Sequence, residues 1–196
     1  TYMTSGSSGE PSVIRRTPLE ESLLGMLRLR SARYYGFRVT DRMALTFPVP
    51  AQIDRKGLAR RIIERLGLFR IELVNCRLAP DEIIHTLRHI APEVLGGLPG
   101  VLSRCAEILT DDDRHALRPR FVAVGGDVLT GLMRHQIMEA FKAPVFDMYG
   151  SQEFNLLAWE CRETGELHTC DDGMILEVLK DGRSANTGER GEVVGT

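Results

Sequence analysis

The sequence has no apolar run approaching the roughly 18 residues of a membrane-spanning helix, and its first residues lack the basic-then-apolar pattern of a secretory signal. A basic excess is missing too: 25 Lys and Arg stand against 27 Asp and Glu, a net charge of −2. Surfaces that neutralise a phosphate backbone need the opposite balance, so nucleic acid is not the expected partner. Cysteine is scarce, with four residues at positions 76, 105, 161 and 170, too few and too scattered for a disulfide framework. These absences describe a cytoplasmic protein that uses no membrane and carries free thiols or a metal pair.

What is present is a globular composition, 43% hydrophobic and 27% charged over 196 residues, about one domain's worth of chain. The chain opens at Thr1 without a methionine and closes just after Val193-Val194, so it is expected to be a piece of something longer. From residue 17 to 148, helix-period and strand-like segments alternate, the pattern of an α/β domain with parallel or mixed sheets flanked by helices. Thr17, Pro18 and Glu20 predict a capped helix to about Tyr35 with Leu19, Leu23, Met26 and Leu27 as its apolar face. Residues 41–47 predict a strand, Leu58, Ile62, Ile63 and Leu66 a helix ended by Gly67, and residues 68–74 a strand. Asp81 is expected to cap a helix carrying Ile83, Ile84, Leu87 and Ile90, and residues 101–109 form another. Phe121 to Val124 is a bare apolar run, as in a strand covered on both faces, and it stops at Gly125-Gly126-Asp127. A helix with Leu129, Met133, Ile137 and Phe141 inward leads to a strand from Pro144 to Met148 that runs into Tyr149-Gly150. Beyond Glu160, short β-like pieces are punctuated by glycine, a β-rich subregion.

Three segments carry chemistry. Thr4-Ser5-Gly6-Ser7-Ser8-Gly9-Glu10-Pro11 combines glycines, which let successive amides turn toward an anion, with hydroxyls that donate to phosphate oxygens. No Gly-Lys-Ser/Thr opens a helix there, so it is not a Walker loop, and a flexible linker has the same composition. Tyr149-Gly150-Ser151-Gln152-Glu153 offers a ring that can stack on a purine and a carboxylate that can hold a divalent cation, at the strand end where parallel sheets bind ligands. Gly125-Gly126-Asp127 is a second such end.

Taken in order, these segments resemble the adenylate-forming superfamily, in its phenylacetate-CoA ligase and capsular polysaccharide biosynthesis branch. TSGSSGEP is similar to the family's phosphate loop, GGD to its adenine turn and DMYGSQE to its Tyr-Gly-x-Thr/Ser-Glu motif; ECRETGELH and TGERGEVVGT resemble downstream segments of the branch. The resemblance implies part of a large N-terminal adenylation domain: a phosphate-binding loop in residues 1–16, an α/β core in 17–158 and the β-rich subregion in 159–196. It implies activation of a small carboxylic acid by ATP to an acyl-adenylate, followed by thioester formation with coenzyme A and release of AMP. Thr4, Ser5, Gly6, Ser7, Ser8 and Gly9 would then wrap the β- and γ-phosphates. Gly125, Gly126 and Asp127 would border the adenine, Tyr149 would stack on it beside Gly150 and Ser151, and Glu153 would bind magnesium.

Two positions depart from the pattern. Glu10 stands where lysine is common, and Gln152 where a Thr or Ser contacts the α-phosphate, although its amide keeps a donor. They motivate the alternative of a nucleotide-binding protein without catalysis, while the capsule-biosynthesis resemblance suggests another, transfer of an adenylyl or acyl group to an acceptor other than coenzyme A. The family's hinge, ribose-binding aspartate, catalytic lysine and mobile C-terminal domain are expected beyond Thr196, so the 196 residues alone are expected to be inactive. A homodimer is also compatible with the branch.

Cys161, His168 and Cys170 have the spacing of a three-ligand zinc cluster, with buried thiols and a surface histidine as the alternative. His85 and His89 sit four apart but without a metalloprotease glutamate at 86, so a solvated helix face is expected. Asp111, Asp112 and Asp113 could suggest a cation site, but are expected to open a short helix or loop. With 6% aromatic residues the composition does not distinguish an aryl from an aliphatic acid.

Overall fold

The structure is a computed structural model that describes residues 2–3, 13–48 and 58–196. The chain divides into two compact units, one made of Thr1–Ala32 with Met148–Thr196, the other of Arg33–Asp147. The proposed phosphate loop, Thr4 to Gly9, and Glu10 lie outside the described residues.

In the first unit, β1 (Tyr2–Met3) and β2 (Val13–Ile14) pair antiparallel, Tyr2 opposite Ile14 and Met3 opposite Val13. Helix α1 (Pro18–Tyr34) starts as its sequence predicts. The Thr17 hydroxyl accepts from the Glu20 amide at 3.2 Å, and the Glu20 carboxylate accepts from the Thr17 amide at 2.6 Å, which satisfies two donors that a helix start leaves open. Of the predicted apolar face only Leu27 turns inward, joined by Leu24 and Ser31, whereas Leu19 is 69% and Met26 58% exposed and Leu23 is exposed too. Apolar residues ring this helix, so periodicity alone does not select a face.

In the second unit the strands β3 (Arg42–Phe47), β4 (Arg70–Asn75), β5 (Val94–Gly97) and β6 (Phe121–Gly125) form a parallel sheet in the order β4-β3-β5-β6. They are joined through α2 (Leu58–Arg65), α3 (Pro80–Ile90), α4 (Pro99–Ile108) and α5 (Asp111–Ala116), and α6 (Gly131–Phe141) follows. Val122 and Val124 of β6 pack in one cluster with Leu87 of α3, Leu102 of α4 and Ile137 of α6. Phe121, on the opposite side of the same strand, joins Tyr35 and Phe146, whose rings stack at 4.1 Å. Both faces are thus covered, which is why the strand reads as an uninterrupted apolar run.

Strand β5 has no counterpart in the sequence reading. Its four residues include Gly96-Gly97 and stand between Pro92 and Pro99, composition that ordinarily marks a loop. The glycines are required by packing: a Cβ on Gly97 would lie 1.7 Å from the Thr46 hydroxyl, which is buried and donates to the Gly96 carbonyl at 3.2 Å. Helix α3 also begins differently from expectation. Ala79 is its N-cap, Pro80 takes the first helical position, and Glu82 rather than Asp81 accepts from the Ala79 amide at 3.0 Å. His85 and His89 are exposed, and Asp111–Asp113 do open α5, where Asp113 and the N-cap Thr110 form a reciprocal capping box.

The rest of the first unit is antiparallel. Strand β7 (Val145–Ser151) carries the chain back into it and pairs with β8 (Asn155–Glu160), which pairs with β9 (Leu167–Thr169). A further sheet has the order β11-β10-β12, from β10 (Leu176–Lys180), β11 (Arg183–Ser184) and β12 (Glu192–Gly195). Glu189, between β11 and β12, accepts from Arg183, from the Asn186 amide and from Lys180, and these bonds, Arg183 foremost, hold its carboxyl down to about 2. The β-rich subregion and the mixed α/β class thus agree with the sequence reading.

Gly97→Ala should destabilise the chain by about 1–3 kcal/mol through overpacking against Thr46, whereas Gly100→Ala, where an added methyl meets nothing within 4 Å, should not; urea unfolding of the two variants compares them. Because the folded value of Glu189 lies below its ordinary 4.5, its contribution is complete above that pH and is lost as pH falls through about 2. The stability gap between the native chain and Glu189→Gln should therefore close on acidification and stay constant at neutral pH.

Candidate functional site

Residues Tyr149 to Glu153 form the end of β7 and the tight turn into β8. Tyr149 pairs with Ala158, but Gly150 pairs with Leu156, so β8 contributes an extra residue and the ladder bulges there. Glycine is obligatory at the bulge, since a Cβ on Gly150 would lie 2.2 Å from the Asn155 carbonyl oxygen, a backbone atom that cannot swing aside. Asn155 closes the turn in the left-handed region at φ 68°, a conformation its short polar side chain tolerates. The Phe154 amide donates to the Ser151 hydroxyl at 3.2 Å, and the Phe154 ring lies against Gly195 of β12. The outcome is a rigidly framed turn with Gln152 and Glu153 exposed and the Tyr149 ring 43% exposed beside them.

One arginine ties this turn to the N-terminal ribbon. Arg16 Nη2 donates to the Gln152 carbonyl at 2.5 Å and to the Glu153 carbonyl at 2.9 Å, while Nη1 donates to the Glu21 carboxylate in the first turn of α1 at 3.3 Å. Arg16 stands two residues after β2, which pairs with β1. The sequence reading missed Arg16. Its partners lie 136 and 137 residues away, and no local pattern encodes such a contact.

Gly125-Gly126-Asp127 ends β6 in the second unit. Gly126 has φ +83°, a left-handed turn that only glycine adopts freely, and the Asp127 carboxylate accepts from the Val128 amide at 2.8 Å. Beside it a cavity of about 580 Å³ is lined by Leu98, Arg104, Asp127, Thr130, Met133 and Gln136.

The zinc cluster expected at Cys161, His168 and Cys170 does not form. Cys161 hydrogen-bonds Glu166 and Cys170 hydrogen-bonds Leu157, which sets the two buried thiols four residues apart along the ladder, about 13 Å. The Trp159–His168 pair stands between them, with ring centroids 5.9 Å apart. Among the described residues no group of three or more His, Cys, Asp or Glu is placed to hold a metal ion.

No family profile matches the chain. Its sequence is 24% identical over 202 residues to phenylacetate-coenzyme A ligase of Pseudomonas putida, across 100% of the chain and 45% of that relative. The structure is similar to 2-hydroxyisobutyryl-CoA ligase, solved in an open conformation with 2-HIB-AMP and CoA, at a TM-score of 0.75 and 17% identity over 100% of the chain and 44% of that protein. It is also similar to O-succinylbenzoate coenzyme A synthetase of Bacillus subtilis, solved with ATP and magnesium ion, at a TM-score of 0.67 and 16% identity over 98% and 40%. The fold is that of the adenylate-forming enzymes. The chain spans less than half the length of each of these relatives. Among the described residues no helix is long and apolar enough to cross a membrane.

In this adenylate-forming fold the bulge frames the exposed turn. Gly150→Ala should therefore lower stability by about 1–3 kcal/mol and shift the amide resonances of residues 151–156, because the methyl can be accommodated only by moving β8 backbone. A heteronuclear NMR spectrum unchanged in that stretch would show that the bulge is not a fixed constraint.

Proposed function

We propose that the chain supplies the nucleotide-facing part of an AMP-forming acid–thiol ligase. In the first step a carboxylate oxygen attacks the α-phosphorus of ATP, forming the acyl-adenylate as the bond to pyrophosphate breaks. In the second, the sulfur of coenzyme A attacks the acyl carbon, AMP leaves with the bonding electrons, and the thiol proton passes to solvent or a base. The observation that carries this reading is the Tyr149–Glu153 turn, glycine-bulged, exposed, and held by Arg16 just ahead of α1.

Attack of one anion on another is slow unless both are held in place and the growing charge is met by fixed positive groups. Tyr149 stacks on the adenine; the resemblance assigns the border of the base to Gly125, Gly126 and Asp127. Thr4 to Gly9 present hydroxyls and amides to the β- and γ-phosphates. Gln152 donates its amide to the α-phosphate in place of a hydroxyl. Glu153 is one exposed carboxylate, a donor set that suits magnesium, which takes one or two protein carboxylates and completes its shell with phosphate oxygens and water. The ion supplies charge neutralisation on the polyphosphate. Adenosine triphosphate and coenzyme A are both available in the cytoplasm, which is where this reading puts the enzyme.

Carboxylate-dependent ATP–pyrophosphate exchange by the protein that carries this chain tests the proposal, and dependence of the final product on coenzyme A separates it from transfer to another acceptor. Glu153→Ala should abolish exchange with the fold intact. Tyr149→Ala should weaken ATP binding by about 1–3 kcal/mol, the usual value of a base-stacking ring. Nucleotide binding without exchange across a broad panel of carboxylic acids would replace this reading with a non-catalytic nucleotide-binding protein.

A further inference from the structure

We propose that Arg16 is a positioning residue: through the two carbonyls it grips, it sets the Gln152–Glu153 turn so that the Glu153 carboxylate meets a magnesium–triphosphate arriving at the N-terminal ribbon. This rests on the ligase reading above and deepens it.

The argument starts from desolvation. The Arg16 side chain is only 11% exposed, and removing a guanidinium from water is unfavourable unless its donors are matched. Here they are matched by Glu21 at one arm and by two successive backbone carbonyls at the other. Water would satisfy the carbonyls of an exposed turn, so hydrogen-bond satisfaction of the turn does not require Arg16. What the arginine adds is position. Fixing the carbonyls of residues 152 and 153 fixes the peptide planes on either side of the Glu153 Cα, and with them the direction in which its side chain leaves the backbone. Glu21, in the first turn of α1, fixes the other arm and balances the cation. Ser151 and the Phe154–Gly195 contact hold the turn from its own side, so the arginine is the described link between the turn and the ribbon. With its donors turned to protein acceptors and its charge balanced, Arg16 acts on magnesium binding through Glu153 rather than as a phosphate ligand.

Three variants test this in the protein that carries this chain, with Mg·ATP and metal-free ATP as probes. Arg16→Met keeps the aliphatic stem and loses every donor. Arg16→Lys keeps one cationic nitrogen for the carbonyls. Glu21→Gln touches neither carbonyl and only loosens the second arm. The Mg²⁺ concentration for half-maximal nucleotide binding should rise about tenfold in Arg16→Met and about twofold to threefold in the other two, with binding in EDTA unchanged in all. Amide hydrogen exchange at Phe154 should accelerate in the same order. If the native chain binds Mg·ATP and Arg16→Met needs no more magnesium than it does, the positioning role is wrong while the ligase reading stands. Equal loss of binding with and without metal would make Arg16 a structural or phosphate-contacting residue and would also overturn the proposal. If Arg16→Met does not fold, an unchanged magnesium requirement in both Arg16→Lys and Glu21→Gln has the same force. A protein that carries this chain in full and binds no nucleotide under either condition removes the ligase reading and this inference together.

Discussion

A guanidinium shared between two backbone carbonyls and one carboxylate joins stretches of chain that are more than 130 residues apart. Arg16 is where the start of α1 and the Gln152–Glu153 turn meet, directly after the N-terminal ribbon. Burying an arginine for this purpose is unfavourable in isolation and tolerable here only because each arm finds an acceptor. Chemistry on a triphosphate has the same requirement, charge held at fixed places before the substrate arrives, so the arrangement has a clear use in an adenylate-forming fold.

Two close approaches of backbone build the frame around that contact. In one unit the glycine at the β7 bulge lets β8 come near enough to form the turn that carries Glu153. In the other, Gly96 and Gly97 let β5 sit beside the buried Thr46 in the parallel sheet, whose β6 strand then ends at the Gly126 left-handed turn. Neither approach tolerates a side chain. Apparent loop residues are thus what permits regular strands to lie where they do.

The sequence made legible what is encoded over a few neighbouring residues. The Thr17–Glu20 capping box, the apolar β6 run, the α6 helix and the acidic start of α5 all involve partners within one or two turns, and each stands where it was expected. Strand β5 was hidden because its glycines answer to Thr46 and Leu45, fifty residues upstream. The inward face of α1 is not legible because Leu19, Leu24, Leu27, Leu29 and Ala32 together place apolar side chains all round the helix. Cys161, His168 and Cys170 misled for a different reason: nearness in sequence was taken for nearness in space, whereas hairpin register sends the two cysteines to different levels of the ladder. Of the candidate site, the Tyr149–Glu153 turn could be read from its motif, while the arginine that anchors it could not. The Thr4–Gly9 segment, read from composition, lies outside the described residues.

The central claim is that two bends far apart in the chain serve one metal-bound triphosphate. Paramagnetic relaxation by manganese–ATP, mapped onto the amide signals of the chain, tests it directly. A single ion should broaden residues 5–8 and residues 151–154 together and at the same concentration of complex. Broadening confined to one of the two bends, with the other left sharp at saturation, would contradict the account.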